Sequence, residues 1–334
     1  MKRKRASPDL INGVSFSVRA GLGHALDMTE LNGVFFIVGP TATGKSEIAA
    51  DVAHDFDGEI ISADAFQIYR GLDLLSAKPA AATQTKALHH LMGVTPVSDE
   101  MNAEKFRRLA VNAISEVRSR EKLALVVGGS GLYVKALTHG LTNLPARDPE
   151  LRARLNDLSL DQLREKLARL DLEAANKVDP KNRRRLVRAI EICLLSGKPF
   201  STHRREPEKK SVGAMQGVFV FRDREELYQR INRRVEELFE LGVIEEVQSA
   251  GPMSVTASQM IGLAEIRQLI ANKISRRQCI AAIRQATRRY AKRQLTWFRH
   301  QTNFQPLNLS LLTHQEAVEW ISQRARLAFA QGND

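Results

Sequence analysis

Cysteine is nearly absent from this chain: its 334 residues hold two, Cys193 and Cys279. That excludes a disulfide scaffold and a four-cysteine zinc site, and two lone thiols suit a reducing compartment. No run of about 18 apolar residues occurs, so no membrane span is expected. The start, Lys2-Arg3-Lys4-Arg5, has no apolar stretch after it and does not read as a secretory signal. Together these absences lead to the expectation of a cytoplasmic protein with no membrane partner. Acidic residues are missing from one long segment. From Ile266 to Gln315 there is no Asp or Glu, yet ten Lys and Arg occur there. An ordinary solvated face mixes signs. With a net charge of +12, this segment points to a polyanionic partner, nucleic acid above all. Hydrophobic residues at 43% exclude a mostly disordered chain, and the length suits one large domain or two modest ones.

Residues 1–33 carry no clear periodicity and read as a loosely ordered extension. Met28 is an alternative start, and the basic run is a plain tail rather than a nuclear signal. Val34 to Val38 is a short apolar run of the kind that forms a buried parallel strand. A helix through Glu47–Ala53, a strand at Glu59–Ser62, a helix over 103–119 and a strand at Leu123–Val127 follow. The helix carries Phe106, Leu109, Ala110, Ala113 and Val117 at core spacing. Strands alternating with helices predict an α/β fold with a parallel sheet.

From 145 to 205 the pattern turns helical, charged and strand-free. Asp148-Pro149-Glu150 opens one helix, and Ser159 with Gln162 forms a capping box for a second. Asp179-Pro180 precedes a third, which stops near Gly197. This reads as a helical insertion. Residues 202–217 read as a polar loop, Val218–Phe221 as a returning strand, and the rest as helices. The expected division is 34–144 and 206–315 for the core, 145–205 for the insertion, and 316–334 for a C-terminal helix or tail.

Gly39-Pro40-Thr41-Ala42-Thr43-Gly44-Lys45-Ser46 fits the phosphate-loop pattern GxxxxGK(S/T), between a strand and a helix. In that setting backbone N–H groups converge on a phosphate at a helix N-terminus. Lys45 adds charge, and the Ser46 hydroxyl is a candidate ligand for Mg2+. The motif predicts a bound di- or triphosphate. It leaves open whether a phosphoryl group moves, as in a kinase, or a diphosphate leaves while carbon is attacked.

Further segments occur in a fixed order: Ile61–Asp73, Ala77-Lys78-Pro79, His89-His90-Leu91 and Gly128–Tyr133. Then come Asn182–Glu191, Ser196-Gly197-Lys198-Pro199, Arg224–Val235 and Lys292–Phe298. With the phosphate loop they cover roughly residues 34–300, and together the chain resembles the tRNA dimethylallyltransferases. The resemblance implies a P-loop, nucleotide-kinase-like parallel sheet core with an inserted all-helical domain that grips the tRNA anticodon stem-loop. It implies transfer of a dimethylallyl group from dimethylallyl diphosphate to the exocyclic N6 amine of the adenosine 3′ of the anticodon. Diphosphate leaves with the help of magnesium.

An adenine amine is a weak nucleophile, and a carboxylate that takes its proton helps. Asp64, at the end of a strand, is on its own equally a base, a magnesium ligand or a helix cap; the resemblance assigns it the base. It also implies that Thr41 contacts the bridging oxygen and that Ser130 keeps a hydroxyl where threonine is usual. Asp64, Ala65, Phe66, Gln67, Ser130 and Arg152 are then expected near the target nucleotide. Arg184, Arg185, Leu186, Val187 and Arg188 match a tRNA-contact run that Arg183 precedes. Arg230 and Arg234, one helical turn apart, are candidates for reaching phosphate or for plain surface positions.

Late in the chain Arg277, Arg284, Arg288, Lys292 and Arg299 fall on one helical stripe, beside an apolar face of Ile280, Ile283, Thr287, Tyr290 and Phe298. With Arg293 this is expected to be a phosphate track, while Trp297 is expected to be buried. The histidine pair lacks the convergent ligands of a metal site. Three positions depart from the family pattern: Gly93 stands for aspartate, and Leu263 and Ala264 for tyrosine and a basic residue. No zinc-finger cysteines follow, so a bacterial-type enzyme is expected; a monomer is the expected state. The competing readings are prenylation of a free adenine nucleotide, a small-molecule kinase, and a tRNA-binding protein without catalysis.

Overall fold

The computed structural model describes residues 33–141, 144–204 and 215–331. The expectations for residues 1–32, and most of the polar loop at 202–217, lie outside these. The chain forms β1 (Val34–Val38), α1 (Lys45–Asp55), β2 (Glu59–Ser62), α2 (Ala81–Gln84), β3 (His89–His90), α3 (Ala103–Ser119), β4 (Ala124–Gly128) and α4 (Gly131–Thr138). Four helices follow: α5 (Pro149–Asn156), α6 (Leu160–Leu170), α7 (Leu172–Lys177) and α8 (Arg183–Ser196). The chain then returns through β5 (Gly217–Phe221), α9 (Arg224–Glu240), α10 (Val243–Ser249), α11 (Leu263–Ile270), α12 (Arg276–Gln301), β6 (Gln305–Asn308) and α13 (His314–Gln331).

The strands build one parallel sheet in the order β3-β2-β4-β1-β5-β6. Both faces are covered, which is why β1 is apolar throughout rather than alternating. Val34, Phe36 and Val38 enter the core beneath α3, α9 and α12. Phe35 and Ile37 enter the opposite core, closed by α1 and α13. Helices α5–α8 share an apolar core of their own, built on Leu155, Leu163, Leu167, Leu186 and Ile190. The capping box at Ser159 and Gln162 is formed, and Gly197 ends α8 in the left-handed region at φ 66°.

Three local expectations need correction. Leu109 is 38% exposed, and Ile114 takes the core position on α3. The helical C-terminus is interrupted by β6, a four-residue edge strand of sequence QPLN. It has no hydrophobic period to read, and its Pro306 is tolerated because it sits at an edge. The insertion also contains the short helix α7, capped by Asp171, which accepts a hydrogen bond from the Ala174 N–H at 2.9 Å.

The sheet brings three loops together at the carboxyl ends of β1, β2 and β4. Gly39 N–H donates to Gly128 (3.2 Å), Ala63 N–H to Val127 (2.7 Å) and Ser130 N–H to Ala63 (3.3 Å). Open parallel sheets place their ligands at this end.

Candidate active site

The phosphate loop is a turn held from outside. Gly39 must lack a side chain, because a Cβ there would lie 2.1 Å from the Val220 carbonyl oxygen. Gly44 adopts φ 92° at the start of α1, a conformation that glycine takes without strain. Thr43 Oγ1 and Lys45 Nζ both donate to the Pro40 carbonyl, at 3.0 and 3.2 Å. Arg222 Nε donates to Thr43 O (2.8 Å), Arg230 Nε to Ala42 O (2.9 Å) and Arg234 Nη1 to Thr41 Oγ1 (2.9 Å). Arg230 and Arg234 therefore serve the loop rather than a plain surface. Sequence reasoning missed Arg222, which lies before α9 and outside any local motif.

It also missed Gln294. This α12 side chain is 5% exposed. Its Oε1 accepts from Thr41 N–H at 3.0 Å, and its Nε2 donates to the Gly129 carbonyl at 2.8 Å. One amide thus fastens the phosphate loop to the loop after β4. A buried polar residue on the apolar side of a basic helix was the available signal.

The cleft over the loop has a volume of ≈ 430 Å³ and is lined by Lys45, Ser46, Asp64, Lys78, Arg230 and Arg234, among others. Burial pulls the Lys45 ammonium down to about 8, against the attraction of Asp64. Burial also lowers Arg234, with Asp64 again opposing. Lys78 Nζ donates to Tyr69 O (2.7 Å) and Asp73 Oδ1 (2.5 Å). Asp64 Oδ1 accepts from the N–H groups of Phe66 (2.9 Å) and Gln67 (3.3 Å). One oxygen of Asp64 thus holds the turn after β2, where no helix begins, and the residue still lines the cleft. Gln67 is fixed in turn: its Oε1 accepts from Ser62 Oγ (3.1 Å) and its Nε2 donates to Ala77 O (3.0 Å). Ser130 Oγ accepts from Ala65 N–H (2.9 Å). Phe66 packs against the main core.

Ser46, Glu47 and Asp64 contribute oxygen donors to the cleft. Among the described residues there is no cluster of three or more His, Cys, Asp or Glu fit for a metal. This donor set suits a hard cation held by one or two protein oxygens together with substrate phosphates, the usual manner for magnesium.

Outside the cleft, the expected tRNA residues separate into four groups. Arg184 and Arg185 are exposed at the start of α8, and Lys292 and Arg293 on α12. Arg152 and Arg188 instead clamp Glu191, which is fully buried: Arg152 Nε lies 2.8 Å from Oε1 and Arg188 Nη1 2.6 Å from Oε2. Arg188 Nη2 also donates to Pro145 O at 2.9 Å, and Arg183 donates to the carbonyls of Asn156 and Leu158. Burial pushes the Glu191 carboxyl up, but hydrogen bonds from Arg152 and Arg188 outweigh it and hold it at about 2.

Leu186 and Val187 are a correction: at 1% and 5% exposure they belong to the core of the insertion and offer no surface. The stripe on α12 is a second correction. Arg284 pairs with Glu236, and Arg288 Nη2 donates to Asn232 Oδ1 (2.7 Å) while stacking on Tyr228. Both arginines are turned onto α9, because α12 packs against it, and do not form an open phosphate track. Trp297 is half-buried and lies on Gly131, where a Cβ would come within 2.4 Å of the indole.

The departures have local settings. Gly93 has φ 64°, and a Cβ there would lie 3.1 Å from Lys78 Nζ, so the cation that an aspartate would meet pairs with Asp73 instead. Leu263 is buried and Ala264 exposed. His90 Nε2 lies 2.7 Å from the buried Glu59, which Arg120 also contacts.

Residues 67–301 match the IPP transferase family. The chain is 41% identical over 266 residues to the tRNA dimethylallyltransferase of Akkermansia muciniphila, covering 80% of this chain and 90% of that one. It is 40% identical over 270 residues to tRNA dimethylallyltransferase 1 of Citrifermentans bemidjiense, covering 79% and 88%. The full-length tRNA isopentenylpyrophosphate transferase of Bacillus halodurans shares its fold with a TM-score of 0.65 at 31% identity, over 90% of this chain and 98% of that one. A eukaryotic dimethylallyltransferase solved acting on tRNA gives 0.71 at 25% identity, over 87% and 80%.

Proposed function

The chain belongs to the IPP transferase family, and we propose that it is a tRNA prenyltransferase that moves a dimethylallyl group from dimethylallyl diphosphate to the N6 amine of the adenosine 3′ of the anticodon. The observation that carries this reading is the place of Asp64. It lines the phosphate cleft and also a neighbouring apolar cleft. A carbon joined to a diphosphate would sit between the two, next to a carboxylate.

In the reaction the N6–C1 bond forms and the bond from C1 to the diphosphate oxygen breaks. The N6 proton passes to Asp64, and the electron pair of the broken bond leaves with diphosphate. Lys45, Arg230 and Arg234 hold the developing negative charge. The fixed Thr41 hydroxyl faces the same anion. Magnesium, held by Ser46 and the phosphate oxygens, would neutralise the leaving group further. Ala65, Phe66, Gln67 and Ser130 shape the wall that the flipped adenosine meets; flipping costs a few kcal/mol, less in a loop than in a duplex. Arg184, Arg185, Lys292 and Arg293 are the open cations that would take the flanking backbone of the anticodon stem-loop. We place the enzyme in the cytoplasm as a monomer. Among the described residues no helix is long and apolar enough to cross a membrane.

The test is a product assay with purified protein, magnesium, labelled dimethylallyl diphosphate and either unmodified tRNA or AMP, with ATP turnover followed in parallel. Label in tRNA alone supports the reading. Label in AMP moves the protein to the free-nucleotide class, and ATP turnover without label makes it a kinase.

A further inference from the structure

Beside the phosphate cleft lies a smaller one of ≈ 50 Å³. The two share Thr41, Ala42, Asp64, Ser76, Arg234 and Leu238. Beyond that shared rim the small cleft turns apolar, and its inner wall includes Leu75, Ile231, Val235, Met260 and Ile283. These five are core residues, each 6% exposed or less. Leu75 and Ile283 converge at Gly262: a Cβ there would lie 3.1 Å from Leu75 Cδ1 and 3.4 Å from Ile283 Cδ1. Both side chains are thus backed by the Gly262 backbone.

The polar groups along it are already engaged. Ser76 Oγ donates to Leu72 O (2.5 Å) and Thr287 Oγ1 to Ile283 O (2.8 Å). The Tyr290 side chain lies beside Ser130 and Gln294. The inner cleft is mostly apolar, while the rim that it shares with the phosphate site carries Arg234. An occupant that satisfies both is a short apolar chain attached to a diphosphate.

We propose that Met260, with Leu75 and Ile283 as the end wall, sets the length of the prenyl chain that this enzyme accepts at five carbons. The inference rests on the prenyl-transfer reading and names the specificity residues of that site. A ten-carbon chain would need its second isoprene unit among these buried side chains. The neighbours there are close-packed core side chains, which yield only by repacking.

The test compares kcat/KM for dimethylallyl and geranyl diphosphate on the same unmodified tRNA, in wild type and in Met260→Ala. Wild type is expected to prefer the five-carbon donor. Met260→Ala is expected to shift the ratio towards geranyl by roughly ten- to a hundredfold, the range that methylene-sized pocket changes produce. Ile283→Val removes one methyl from the same wall and should shift the ratio in the same direction by a smaller factor. It carries the test if thermal melting shows that Met260→Ala does not fold. A merely loosened protein would lower both donors together, so an unchanged ratio in a folded variant overturns the inference. Equal use of both donors by wild type overturns it as well. Wild type that transfers from neither donor overturns the prenyl-transfer reading itself, and this inference with it, a result visible without any variant.

Discussion

Arg230 and Arg234 at the phosphate loop, and Arg152 and Arg188 on the insertion, all have protein partners, but the partners differ in charge. The first two bond to the Ala42 carbonyl and the Thr41 hydroxyl, which are neutral. The second two share the buried carboxylate of Glu191. A neutral acceptor fixes a guanidinium and leaves its charge available to an incoming anion. A carboxylate fixes it and cancels much of that charge. The phosphate cleft is thus built to hold an anion. On the insertion the paired arginines hold its helices together, and the open ones, Arg184 and Arg185, are left to meet a partner.

The sharpest way to break this contrast is at Glu191. Glu191→Gln should destabilise the protein by about 3–5 kcal/mol, the cost of removing one partner from a buried ion cluster. Thermal or denaturant melting measures it. The carboxyl is held at about 2 in the folded protein, below its unfolded value. Its contribution is therefore fully present above the ordinary carboxylate range and is lost as pH falls from there through about 2.

Gln294→Leu comes next. It orphans Thr41 N–H and the Gly129 carbonyl, each worth about 1–3 kcal/mol when left unsatisfied. The expected result is a weaker KM for the diphosphate donor, with tRNA affinity held by the neighbouring Lys292 and Arg293. An unchanged KM would mean that the loop keeps its shape without the amide.

The third effect is a pH dependence. The free protein loses the Lys45 charge as pH rises through about 8. Affinity for inorganic diphosphate should then fall above that pH by up to about tenfold per pH unit, with proton uptake on binding. Lys45→Met should flatten the profile. Calorimetry in buffers of differing ionisation heat reads both quantities.

The smallest effect separates the two kinds of arginine on the tRNA side. Replacing Arg184 and Arg185 with Ala should lower the salt slope of tRNA binding by about two if each neutralises one phosphate. Replacing Arg284 and Arg288, which face α9, should lower it by less than about one. Equal changes would show that α12 opens when tRNA binds.

Four of the six strands and the phosphate loop were legible because each is local. A five-residue apolar strand, a glycine-rich turn and a helix are contiguous from Val34 to Asp55, and each reports its own conformation. The capping box at Ser159 was legible for the same reason. What was missed depends on partners far away in the chain. Gln294 meets Thr41 across 253 positions, and Arg222 meets Thr43 across 179. The stripe on α12 was real as a spacing, but spacing does not say which neighbour a helix face meets. Glu236, Asn232 and Tyr228 on α9 answered that for Arg284 and Arg288. Leu186 and Val187 sat inside a basic run, and only the helical packing showed them to be core. β6 was too short and too polar to signal a strand.

The central claim is that Asp64 takes the proton from the adenosine amine beside the phosphate cleft. Asp64→Asn tests it most directly, because the amide keeps an Oδ1 acceptor for the Phe66 and Gln67 N–H groups but is not a base. Single-turnover transfer to tRNA should slow by about 10²–10⁴-fold, with tRNA and diphosphate binding unchanged. Transfer near the wild-type rate would contradict the assignment of the base.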